Sequence, residues 1–113
     1  MTKGQITAAW NDKAIPDGLD ENGRLAYIML RAIYREYRAG VIPKQDGELI
    51  KDYLTRYEQI GRGERATLLQ YAFVFLCTRA GAGDAQALAD SKTLAAAYHA
   101  TTGREIVRPR NLK

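Results

Sequence analysis

A chain of 113 residues is one domain by size, long enough to build a single core without disulfides or metals. One cysteine excludes an internal disulfide, and one histidine beside it leaves no cluster with metal-ligand spacing, so neither metal nor cofactor is expected. A net charge of +4 is modest, and its placement along the chain matters more than its size.

Met1-Thr2-Lys3-Gly4 leads into no apolar stretch, so no secretion signal is expected and a reducing cytoplasm is the natural location. Gln5 to Lys13 reads as a short helix with Ile6, Ala9 and Trp10 on one face. Trp10, the only tryptophan, reads as an anchor for that helix; the functional alternative is an exposed aromatic hot spot. Pro16 and Gly18 make residues 14–19 a loop, and Asp20 is placed to cap a second helix.

That helix is expected from Glu21 to Ala39, stopped by Gly40. At about 100° per residue, Leu25, Ala26, Met29, Leu30, Ile33 and Tyr37 gather on one side. Arg24, Arg31, Arg35 and Arg38 form a stripe opposite, flanked by Tyr27 and Tyr34, with no acid within it. Glu36 falls in the apolar arc, where a carboxylate needs a partner, a tyrosine hydroxyl or a basic group from another helix, or a place at the edge of the packed face; the edge is expected.

Pro43 suits the first position of a third helix running to about Ile60, with Leu49, Ile50, Tyr53, Leu54, Tyr57 and Ile60 on one face. The short connection Val41-Ile42-Pro43 makes helices two and three an antiparallel hairpin over about 21–60. After the break at Gly61-Arg62-Gly63, Leu68 to Cys77 is apolar almost all the way round. Such a run needs cover on every side, which predicts a buried central helix over about 64–80. Ten residues fall well short of the roughly 20 that cross a bilayer, so no membrane span is expected.

Asp84 is placed to cap a last helix from Ala85 to Thr101, closed by Gly103, whose alanines allow close packing on the central helix. Asp90-Ser91, both better caps than interior residues, offer a point where it splits in two. The last ten residues hold Arg104, Arg108, Arg110 and Lys113 against one acid, Glu105, while the rest of the chain carries 13 basic and 12 acidic groups. The expected organisation is a single helical domain over 1–103 and a basic, extended tail over 104–113 that supplies secondary anion contacts. The fold class is all-α: a compact bundle of four to five helices around the central one.

Catalysis finds little support. Cys77 lies in apolar surroundings that raise a thiol pKa, and His99 stands on a different predicted helix with no recognisable motif around it. Gly61-Arg62-Gly63-Glu64-Arg65 lacks the spacing and the lysine of a phosphate loop. The sequence reads as a non-enzymatic binding protein. The stripe with its tyrosines, Arg24, Tyr27, Arg31, Tyr34, Arg35 and Arg38, is the partner-binding candidate, suited to an acidic protein surface or to phosphates and stacked bases.

The run Leu30 to Gly40, Leu-Arg-x-x-Tyr-Arg-x-Tyr-Arg-x-Gly, with Leu25 to Met29 before it and Ile42, Lys51, Leu54 and Tyr57-Glu58 after it, resembles a helical hairpin of small proteins from phages and mobile elements of Gram-positive bacteria. The second helix of such hairpins often opens with Ser and acidic residues, where this chain has Pro43 and later Gly47. The resemblance brings no assigned activity. It implies a phage-type accessory protein in the bacterial host cytoplasm, a class that includes inhibitors of host defence such as anti-CRISPR proteins. The expected partner is a bacterial protein or nucleoprotein; the alternative, read from the residues themselves, is direct DNA or RNA binding with the helix-two arginine stripe and the basic tail both on phosphate.

Overall fold

The structure is a computed structural model that describes residues 1–109. It is all-α, of the small helical-bundle class, with α1 Lys3–Trp10, α2 Glu21–Arg38, α3 Lys44–Thr55, α4 Arg62–Gly81 and α5 Ala85–Thr102, and a short 3₁₀ turn at Tyr57–Gln59. No strand occurs among the described residues, and no helix of theirs is long and apolar enough to cross a membrane.

Local chemistry explains the boundaries. The Thr2 hydroxyl accepts from the Gln5 backbone N–H while the Gln5 side chain accepts from the Thr2 N–H, a reciprocal cap that starts α1 two residues before the expected Gln5. Asp20 caps α2 by accepting from the Gly23 N–H at 2.7 Å, and Asp84 caps α5 by accepting from the Ala87 N–H at 3.0 Å. Gly40, with φ +77°, and Gly83, with φ +101°, take the left-handed conformation that ends α2 and α4.

α1 ends in the same way without a glycine. Asp12 has φ 58°, its N–H donates to the Ala9 carbonyl, and the Lys13 N–H reaches back to the Ala8 carbonyl. A short acidic side chain tolerates this conformation better than most.

Contacts group the chain into two units, Met1–Ile60 and the part from Gly61 onward. In the first, α2 packs on both α1 and α3. Ten residues of α2 are buried, and of its large side chains Tyr27, Met29, Leu30 and Ile33 are almost wholly enclosed. Glu36 is buried as well, at 6 % exposure, which corrects its expected place at the edge of the packed face. α3 stops at Thr55, not Ile60: Arg56, with φ −124°, leaves the helix and the 3₁₀ turn follows. Leu54, Tyr57 and Ile60 are still brought inside.

In the second unit α4 packs along α5, as its alanine content predicts. The expectation that 64–80 is enclosed on every side is corrected. Only Leu69, Ala72, Phe73 and Leu76 of α4 are buried, a single i, i+3, i+4, i+7 stripe, while Tyr71 and Val74 are 37 % and 38 % exposed. The most deeply buried helix is therefore α2.

α5 does not split at Asp90-Ser91. The Gln86 amide donates to Asp90 Oδ1 at 2.9 Å and the Ser91 hydroxyl donates to the Leu88 carbonyl at 2.7 Å, so both polar side chains are satisfied within the helix. Past Gly103 the tail lies on α4: Ile106 is 5 % exposed, and the Gln70 amide both donates to the Val107 carbonyl and accepts from its N–H. The Arg108 guanidinium lies 5.6 Å from the Phe73 ring centre.

Candidate binding cleft

A helix of eight residues leaves unpaired carbonyls at its C-terminus and a partial negative charge there. The turn after α1 pairs the Thr7, Ala8 and Ala9 carbonyls, and the stripe on α2 takes the Trp10 carbonyl and holds the turn itself through residues 12 and 13. The Tyr27 hydroxyl and Arg31 Nη1 donate to the Lys13 carbonyl at 2.8 and 2.9 Å. Arg35 Nη2 meets Asp12 Oδ1 at 2.7 Å, and Arg38 Nη1 donates to the Trp10 carbonyl. Burial raises the Tyr27 pKa, a rise that Arg31 opposes and Asp12 adds to.

The expected outward-facing stripe is corrected by this arrangement. Tyr27 and Arg31 are 0 % and 3 % exposed and serve the chain's own backbone, and the Arg35 side chain is 12 % exposed. Arg24 and Arg38 are exposed, while Tyr34 is half-buried with a phenol pKa raised by burial. Of the tail residues, Arg104 and Arg108 are exposed; Arg110 and Lys113 lie outside the described residues.

Fastening α1 at its C-terminus fixes the position of Trp10. Its indole meets Tyr34 edge-on, centroids 5.1 Å apart at 81°, and Tyr37 at 5.8 Å and 49°. The Arg38 guanidinium lies 5.4 Å from the indole centre. Trp10 thus anchors α1 on α2, and its indole remains 38 % exposed.

Beside this cluster is an open cleft of about 250 Å³, lined by Trp10, Tyr34, Tyr37, Lys44, Gly47, Glu48 and Lys51. α2 contributes Tyr34 and Tyr37, three residues apart. α3 contributes Lys44, Gly47, Glu48 and Lys51, whose i, i+3, i+4, i+7 spacing puts them on one face. Lys44 and Glu48 approach to 4.0 Å, both well exposed. The cleft joins an aromatic wall to a rim with two cations and one anion, an arrangement suited to recognition. Sequence periodicity placed Tyr37 with the core and left Lys44 and Gly47 without a role; the glycine inside a helix is the one local signal pointing here.

The single thiol lies elsewhere. Cys77 is half-buried beside a cavity of about 310 Å³ lined also by Ala80, Gly81, Leu88, Ser91, Arg108 and Pro109. Burial raises its pKa, and Arg108 opposes that rise. His99 is exposed on α5. Among the described residues no three His, Cys, Asp or Glu side chains are grouped so as to hold a metal ion. No protein-family model, no curated protein and no solved structure matches this chain.

Proposed function

We propose that this is a non-enzymatic binding protein, a phage-type accessory protein that occupies the surface of a bacterial protein or nucleoprotein, with the cleft between α1, α2 and α3 as its recognition surface. The observation that carries the reading is Trp10, a large aromatic held by its neighbours on α2 yet more than one third exposed. Large, rigid aromatics of this kind dominate interface energetics because little entropy is lost when they bind. The resemblance of Leu30 to Gly40 to phage and mobile-element proteins supports the bacterial partner, and an inhibitor that blocks a host defence protein by occupying it fits the same surface. Arg38 and Tyr34 keep a place in this reading; Tyr27 and Arg31 enter it only as supports.

The alternative, direct DNA or RNA binding, draws on a different feature. Residues 61–113 hold eight basic and four acidic side chains, whereas residues 1–60 hold nine of each. Phosphate contact would then fall to the second unit.

Capture from a nuclease-treated bacterial lysate separates the two readings. Wild type should retain a protein partner that the Lys44→Glu/Lys51→Glu variant loses; Lys44 is exposed and Lys51 half-buried at the surface, and the melting temperature of the variant checks that it folds. Unchanged capture by that variant refutes the cleft as the recognition surface. Capture that vanishes on nuclease treatment favours nucleic acid.

A further inference from the structure

We infer that the cleft takes one aromatic side chain flanked by carboxylates, presented by an acidic segment of a protein partner; this rests on the cleft being the recognition surface. The walls select an aromatic occupant. Tyr34 and Tyr37 already pack on Trp10, one edge-on at 5.1 Å and one tilted at 5.8 Å, and a further ring can join the cluster in either geometry. A volume of about 250 Å³ lies just below the usual 300–1,000 Å³ range of small-molecule sites and is ample for one aromatic side chain.

The rim selects the charge. Lys44 and Lys51 border the cleft, and Glu48 lies within reach of Lys44, which leaves Lys51 as the cation for an incoming carboxylate. A cationic occupant is disfavoured by both lysines, and Arg38 already takes a cation's place over the indole. A nucleic-acid strand suits the site less well. Its affinity is built from several neutralised phosphates in a row, whereas Glu48 interrupts this rim and residues 1–60 are neutral overall.

Gly47 supplies an independent observation. Glycine inside a helix is among the least favourable residues, and here packing does not require it. A Cβ at this position would meet nothing nearer than the Tyr37 ring at 4.0 Å, an ordinary contact, and Gly47 does not have a positive φ. What the missing methyl does is keep the wall of the cleft open beside Tyr37. Stability and recognition therefore pull in opposite directions at this residue, which gives a test that misfolding cannot imitate.

Trp10 is the only tryptophan, so intrinsic fluorescence reports on the cleft directly. The probe is a peptide with one phenylalanine between two aspartates on each side. It should shift or quench the emission saturably, the same peptide with alanine for phenylalanine should bind at least about tenfold more weakly, and one with lysines for aspartates should not bind. Gly47→Ala should raise Tm by about 4 °C and weaken the peptide at least about tenfold. Equal binding of the phenylalanine and alanine peptides, unchanged affinity in Gly47→Ala, or saturation by oligothymidylate with no response to the peptide would each overturn the inference. If the peptide is inert while Lys44→Glu/Lys51→Glu still abolishes capture from lysate, only the ligand chemistry falls. If capture is unaffected, the cleft itself falls with it.

Discussion

Tyr27 and Arg31, one turn apart on α2, donate to the same oxygen, the Lys13 carbonyl, at 2.8 and 2.9 Å. Each covers for the other. Tyr27→Phe should cost only about 1 kcal/mol, because Arg31 still satisfies the carbonyl. Arg31→Ala should cost about 2–3 kcal/mol, through lost packing at a buried position as well as the lost bond. The double variant should lose more than the sum, since only then is the carbonyl left without either donor; a denaturant double-mutant cycle measures the excess.

Tyr27 and Tyr34 both have phenol pKa values raised by burial, and the sign of the pH dependence follows. A pKa raised on folding means that the native state holds the proton more tightly than the unfolded chain. Their contribution is complete below the unfolded value of about 10 and is lost as pH climbs through the raised native value. Thermal melts should therefore hold steady towards pH 10 and fall above it, and Tyr27→Phe should flatten that fall. An equally steep decline in the variant would assign it to other groups.

Asp12 occupies the left-handed position that glycine fills after α2 and α4, and it also pairs with Arg35 at 2.7 Å. Asp12→Gly should be near neutral, within about 0.5 kcal/mol, because relief of the positive φ offsets a half-exposed ion pair. Asp12→Val keeps neither advantage and should cost about 2 kcal/mol or more. Chemical denaturation of the two variants side by side provides the comparison.

The tail and the thiol can be tested together. Ile106 is buried and Gln70 holds Val107 through two hydrogen bonds, so removing residues 104–113, or replacing Ile106 with Asp, should lower Tm by several degrees. Arg108 and Pro109 line the cavity beside Cys77. With the tail gone, loss of burial should outweigh loss of the Arg108 charge, and maleimide should label Cys77 faster than in the intact protein, where the raised pKa keeps reaction slow. Equal rates in both would show that the tail does not shield the thiol.

Phe73 and Phe75 should part company. Phe73 is fully buried and Phe73→Ala should cost about 3–5 kcal/mol, whereas Phe75 is half-exposed, edge-on to Tyr71 at 5.1 Å, and Phe75→Ala should cost clearly less. Equilibrium unfolding of the two variants measures the difference.

Helix starts and stops could be read from the sequence because caps act locally: Asp20, Gly40, Asp84 and Gly103 each do their work within a few residues of the helix end they mark. The fate of the arginine stripe could not. Periodicity separates an apolar face from a charged one, but it carries no information about a second helix laid across the charged face, and α1 lies there. The same blindness put the deepest burial in α4, whose apolar run is long, and missed it in α2, where hydroxyl and guanidinium groups are buried because a backbone carbonyl awaits them. Trp10 was legible as an anchor; its partnership with Lys44 and Gly47 depends on how α3 folds back on α2, which no short window contains.

Helix packing in this protein joins neighbours along the chain: α1 with α2, α2 with α3, α4 with α5. The connections run from three to ten residues, and closure entropy grows only slowly with loop length, so folding should be fast, in the microsecond to millisecond range of helical proteins with local topology. Each pair of neighbouring helices would then form its contacts soon after it leaves the ribosome, without waiting for the rest of the chain.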